Sequence, residues 1–119
     1  MRIAIVGSRT INDIDLSKYL PEGEFCLVSG GARGVDSVAK RYATDNGIGF
    51  LEITPDYKKY GRAAPIIRNR EIVDLSDRVI VFWDGSSRGA GSVIDYCKRV
   101  EKLCTVVITN SEGGGKSDG

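Results

Sequence analysis

Three glycines, Gly30, Gly31 and Gly34, fall within five residues, bracketed by Ser29 and Asp36 and interrupted by Arg33. Glycine adopts positive φ without strain and lets an anion approach the backbone with no Cβ in the way. Ser29 closes an apolar run and Val35 opens a helical pattern, so the glycines stand where the first N–H groups of a helix lack intrahelical partners. Those groups, with the helix dipole behind them, form an anion site. Asp36 has two readings in that first turn: it caps the helix, or it receives a ligand hydroxyl. Taken alone, the segment fits a tight strand-to-helix turn equally well, because GGxxG is a short pattern.

A second segment repeats the chemistry. Gly85, Gly89 and Gly91 surround Ser86, Ser87 and Arg88, directly after Asp84. Serine hydroxyls donate to phosphate oxygens and a guanidinium grips them bidentately; the competing reading is a solvated loop whose serines cap a helix. Gly7, Ser8 and Arg9, followed by Thr10, offer a third set of donors. A fourth stretch, Thr54 to Pro65, holds Asp56, Tyr57, Tyr60, Gly61 and Arg62, where a tyrosine either stacks on a base or covers the end of the sheet. Arg68, Asn69 and Arg70 follow early on the next helix, with one arginine expected to face the site and Asn69 to bond a loop or a ligand. If the site cleaves a glycosidic bond it needs a carboxylate near the anomeric carbon. Asp36, Asp84 and Asp95 are the candidates, with Arg88 on the phosphate.

The elements that must carry these loops are legible. Five β-branched or apolar runs recur: Ile3 to Val6, Phe25 to Ser29, Ile48 to Ile53, Arg78 to Phe82 and Cys104 to Ile108. None alternates strictly between polar and apolar, as expected of strands buried on both faces of a parallel sheet. Helical spacing separates them: Val35, Val38, Ala39, Tyr42 and Ala43; then Ile66, Ile67 and Val73; then Val93, Ile94, Cys97 and Val100. A short first helix is expected from about Ile14 to Leu20, stopped by Pro21. Strand and helix in alternation call for an α/β fold: a three-layer, Rossmann-like sandwich with a parallel sheet of about five strands. The four loops then leave the carboxyl ends of the first four strands, where such sheets bind ligands.

Composition sets the limits. The 119 residues fit one domain over residues 1–110, and a Gly- and Ser-rich tail over 111–119 is expected to be disordered. The net charge of +1 and the lack of a basic run argue against nucleic acid as a partner, and no apolar run is long enough to span a bilayer. The first apolar run is too short for a secretory signal and reads as a strand. Cys26, Cys97 and Cys104 are odd in number and widely spaced, which suits reduced thiols in a cytoplasm. With no histidine in the chain, imidazole chemistry is excluded and a zinc site has no common ligand pattern; no metal and no cofactor are expected.

GSR at residues 7–9, SGGARGVD from Ser29 to Asp36, YGRAAPIIRN from Tyr60 to Asn69, and FWDGSSRGAG from Phe82 to Gly91 recur together. In this combination, over nearly the whole chain to Ile108, the sequence resembles the YspA/YpsA-related branch of the SLOG superfamily. That Rossmann-like group includes DprA and the LOG-type cytokinin-activating hydrolases. The resemblance implies a domain, met in phage and bacterial genomes, that binds or senses a phosphate-bearing nucleotide or a nucleotide-derived ligand such as ADP-ribose. Its second and fourth loops would form the phosphate and ribose pocket. Two alternatives come with it: a LOG-like nucleotide N-glycosidase and a DprA-like single-strand DNA binder. The LOG pattern PGGxGTxxE carries a catalytic glutamate. If Gly89-Ala90 takes the GT position here, that glutamate falls on Val93; in the other register it falls on Asp95. Relatives often pair through helices beside the sheet, so a homodimer or higher homo-oligomer is expected.

Overall fold

The computed structural model describes residues 1–30 and 34–109. Five strands, β1 (Arg2–Gly7), β2 (Cys26–Ser29), β3 (Gly49–Glu52), β4 (Arg78–Trp83) and β5 (Leu103–Ile108), form one all-parallel sheet in the order β3-β2-β1-β4-β5. Three longer helices cover it: α1 (Val35–Asn46), α3 (Ala64–Leu75) and α4 (Arg88–Val100); a single turn, α2 (Tyr57–Tyr60), precedes α3. The chain is therefore the three-layer Rossmann-like sandwich that its alternating pattern predicts. β1 is flanked by β2 on one side and by β4 on the other, so strand order reverses between β1 and β4.

Alternate residues of β1 divide the core. Ile3 and Ile5 face Val35, Val38 and Ala39 of α1 together with Leu27, Ile80 and Phe82. Ala4 and Val6 face Ile72 and Val73 of α3 and Ala90, Val93 and Cys97 of α4. The central strands are thus buried on both sides, which is why they read as unbroken apolar runs. The edge strands depart from that expectation. β3 is mostly exposed, and Leu103, Val106 and Ile108 of β5 lie open to solvent, because each edge has a neighbour on one side only.

The expected helix from Ile14 to Leu20 is a three-residue 3-10 turn, Leu16–Lys18. Asp15 Oδ1 accepts from the Ser17 backbone N–H and so places the start of the turn after itself. Pro21 forces the residue before it away from helical geometry, and what remains is too short to nucleate an α-helix. Leu16, fully buried against the α1 side of the core, anchors the segment, with Ile14, Tyr19 and Leu20 packed against the same cluster. The tail expected over 111–119 lies outside the described residues.

Candidate functional site

The carboxyl ends of β1 and β4 open into a cleft of about 520 Å³ at the strand-order reversal, the position where open α/β sheets bind ligands. β1 delivers Gly7, Ser8, Arg9 and Thr10 to one wall. Gly7 stands at a crossing where a Cβ would come within 2.5 Å of Val35 Cγ2 and 2.7 Å of the Phe82 carbonyl oxygen, so only glycine lets α1 approach the strand. Ser8 is 2% exposed and fastens two loops together. Its N–H donates to Phe82 O at 3.1 Å, and its hydroxyl oxygen accepts from the Asp84 N–H at 3.2 Å. Arg9 extends beyond this anchored pair and is exposed.

β2 supplies the floor. The Ser29 hydroxyl is shared between Ile5 O and Asp36 Oδ1, at 2.8 Å from each, which ties the first turn of α1 to the sheet. Asp36 is 9% exposed and lines the cleft. Gly30 lies between Asp36 and Arg68: a Cβ there would sit 3.1 Å from Asp36 Oδ2 and 2.8 Å from an Arg68 guanidinium nitrogen. Arg68 reaches this point from α3, donating from Nη1 to Gly30 O at 2.9 Å and from Nε to Asn69 Oδ1 at 2.8 Å. Asn69, expected to bond a loop or a ligand, thus holds the arginine that crosses the floor.

The opposite wall is the entrance to α4. Asp84 turns its carboxylate back into its own loop, where Oδ1 accepts from the N–H groups of Ser86 at 2.9 Å and Ser87 at 2.8 Å. Those backbone donors hold the Asp84 carboxyl below its ordinary value of 3.8. A carboxylate so engaged fixes a turn and is poorly suited to exchanging protons near neutrality. Trp83 Nε1 donates to Ser87 O at 2.9 Å and pins the turn from below. Ser87 carries no side-chain cap on α4, while Arg88, Gly89 and Ala90, its first three residues, line the cleft. Among the described residues, no atom beyond its two chain neighbours and its own helix backbone lies within 4 Å of where a Cβ of Gly89 would stand.

The structure therefore brings eleven of the residues expected to meet a ligand to one cleft: Gly7, Ser8, Arg9, Gly30, Asp36, Arg68, Asn69, Asp84, Ser87, Arg88 and Gly89. Four others do not line it. Ser29 lies beneath Asp36, and Gly34 is packed on the carbonyl groups of Ser8 and Arg9. Gly85 and Ser86 are exposed on the outer side of the α4 turn. Gly31 and Arg33 lie outside the described residues. Asp95 is exposed on a separate small pocket between α3 and α4, beside Arg70 and Arg99. Val93, the position that one register gives to the LOG glutamate, is buried in the core. Sequence reasoning passed over Pro65, Ile72 and Ala90, which line the cleft because the helices that carry them start or pass there. Their apolar character carries no signal that separates them from core residues.

The thiols stay out of the site. Burial pushes the Cys97 thiol up to about 12, and burial also raises Cys104, so neither is a ready nucleophile. Among the described residues no cluster of acidic or cysteine side chains is arranged to hold a metal ion, and no helix is long and apolar enough to cross a membrane.

One family model matches the chain, that of the YspA, cpYpsA-related SLOG family, over residues 1–60. The match runs from β1 to the end of α2 and so contains the β1 and β2 loops of the cleft; the α3 and α4 walls lie beyond it. No curated protein and no solved structure matches.

Proposed function

This chain belongs to the YspA, cpYpsA-related SLOG family, and on that premise we propose that it binds a phosphate-bearing nucleotide or nucleotide-derived ligand in the β1–β4 cleft. The observation that carries the reading is electrostatic. Arg9 and Arg88 stand on the two walls of the cleft with no carboxylate within ion-pair distance among the described residues, and the amino end of α4 opens between them. The nearest carboxylate on that wall, Asp84, spends its charge on the N–H groups of its own turn. A phosphate seated there meets two guanidinium groups and the free N–H groups of a helix amino end. Asp36, on the floor at the far side of Gly30, accepts a sugar hydroxyl in this reading.

Binding is favoured over LOG-like cleavage of the glycosidic bond. With Val93 buried and Asp95 on another pocket, neither register of the LOG pattern puts a carboxylate in the cleft. The reading also supposes a small molecule and not nucleic acid, in keeping with a net charge of +1.

Gly89→Asp is the decisive variant. A Cβ at this position has open space among the described residues, and an acid in the first turn of a helix favours folding by roughly 0.3–1 kcal/mol. It also places a negative charge where the phosphate would sit. Thermal shift against AMP, ADP, ADP-ribose, NAD and ribose 5-phosphate reads both effects. At ~100 times its dissociation constant a ligand adds about 2.7 kcal/mol. The expected result is a shift in the parent protein that vanishes in Gly89→Asp, whose unliganded melting temperature is equal or higher. An undiminished shift in Gly89→Asp would remove the phosphate from the α4 entrance, and free base among the products would make the protein a glycosidase.

A further inference from the structure

The chain has nine aromatic residues, and eight are accounted for by contacts within the protein. Phe82 is in the core, with Tyr19 edge-on to it at 5.1 Å between ring centroids. Phe25, Tyr42 and Phe50 pack on the same cluster, and Trp83 packs on the other while donating to Ser87 O. Tyr96 donates its hydroxyl to Asp74 and lies under Arg70. Tyr60 has the Lys59 ammonium over its ring. Tyr57 has none of these: it is 61% exposed, it belongs to neither core cluster, and it lines the cleft.

Isolated exposed aromatics are common on protein surfaces and need no explanation by themselves. Tyr57 differs in being held firmly where it is exposed. It opens α2, and the Asp56 carboxylate in front of it accepts from the Lys59 N–H at 3.1 Å. The Tyr60 N–H closes the same turn on Asp56 O at 3.0 Å. Pro65, whose ring fixes the entry of α3, lines the cleft as well. The backbone is thus set at both ends of the segment, and the tyrosine ring is left without a hydrogen-bond or ring partner among the described residues. A ring so placed offers a flat π-face to a ligand at little cost in conformational entropy, since only two side-chain torsions remain to be fixed.

We propose that Tyr57 is the stacking platform for a heteroaromatic base and so sets the ligand's specificity for a nucleotide over a plain sugar phosphate. The inference rests on the reading of the cleft as a phosphate site. The phosphate would lie at the α4 entrance with Arg9 and Arg88, and the base at the α2–α3 end with Tyr57. A cleft of about 520 Å³ is within the range that holds a ligand of this size.

The test is equilibrium titration of the full chain with AMP, GMP, CMP and UMP, each set against ribose 5-phosphate, for the parent, Tyr57→Ala and Tyr57→Phe. Stacking on an aromatic side chain strengthens binding by about 5- to 150-fold. The parent is expected to bind its preferred nucleotide tighter than ribose 5-phosphate by a factor in that range. Tyr57→Ala should abolish this preference and leave ribose 5-phosphate affinity unchanged, while Tyr57→Phe retains it. Equal affinity of the parent for nucleotide and ribose 5-phosphate overturns the stacking role and leaves the phosphate site standing. So does a Tyr57→Ala variant that keeps the preference or weakens both ligands alike. Binding of neither class overturns the phosphate reading and this inference with it. Melting curves of Tyr57→Ala, which removes a side chain outside both core clusters, verify that the variant is folded.

Discussion

At the entrance to α1, glycine stands where the protein's own backbone leaves no room. Gly34 has φ 76° and ψ −126°, and a Cβ on it would lie 2.5 Å from Arg9 O. At the entrance to α4, Gly89 has open space around the same point. The carboxylates differ in parallel: Asp36 is tied to Ser29 in the buried floor, and Asp84 is wrapped by its own loop at the surface. Two segments of similar composition therefore do different work. The first uses glycine to seat a helix tightly on the sheet, and the second uses it to leave a helix end accessible. A glycine-rich turn becomes evidence for a ligand only when the space that the missing Cβ leaves is not already filled by protein.

Substitution by alanine separates the two directly. Gly34→Ala combines a backbone conformation that L-residues rarely adopt with a collision against a carbonyl group, and should cost about 3 kcal/mol or more. Denaturant unfolding would register it as a fall in the midpoint with unchanged slope. A loss under ~1 kcal/mol would mean that the α1 entrance is looser than its packing indicates, and the contrast with α4 would fail. Ser29→Ala is the next largest. It removes the buried hydroxyl shared between Asp36 Oδ1 and Ile5 O, a hydrogen bond to a charged group worth about 1.5–3 kcal/mol. Gly89→Ala should go the other way: alanine suits the helix better by about 0.5–1 kcal/mol and touches nothing. If it destabilises instead, the α4 entrance is packed in a way that the open space does not suggest.

What could be read in the sequence follows the same physics. β1, β2 and β4 are buried on both faces, so their apolar runs carry through to within a residue or two of the observed ends. The order of strand and helix then places four loops on one edge, and eleven expected residues meet in the cleft. Less legible was anything decided by a single capping contact. α2, with sequence YKKY, has no apolar stripe and exists because Asp56 caps it; the 3-10 turn exists because Asp15 and Pro21 leave no room for more. Composition also could not separate residues that face the cleft from those that support it. Gly34 and Ser29 looked like ligand contacts, and their spacing is the same whether backbone or phosphate fills the gap. The two tyrosines in the third loop are indistinguishable by type and setting, whereas the structure sets Lys59 on one and leaves the other facing the cleft.

The smallest expected effect lies at Asp84 and turns on the sign of a proton equilibrium. The N–H groups of Ser86 and Ser87 stabilise the ionised carboxylate in the folded chain and hold its pKa below the ordinary 3.8. The unfolded chain therefore takes up this proton first as pH falls. The resulting stability is fully present above about pH 4–5 and is lost progressively as pH drops through the unfolded value toward the lowered folded one. In Asp84→Asn the amide oxygen still accepts from the same N–H groups but nothing titrates, so the difference in stability between parent and variant should shrink as pH falls from 6 to 3. Asp36 supplies the control for the comparison, since Ser29→Ala should alter stability at pH 6 while leaving this part of the Asp84 profile in place. A difference between the parent and Asp84→Asn that is independent of pH would mean that the carboxylate does not hold the loop. The turn that keeps the α4 entrance open would then need another anchor, which the Trp83–Ser87 hydrogen bond and the Asp84 N–H bond to the Ser8 hydroxyl can supply.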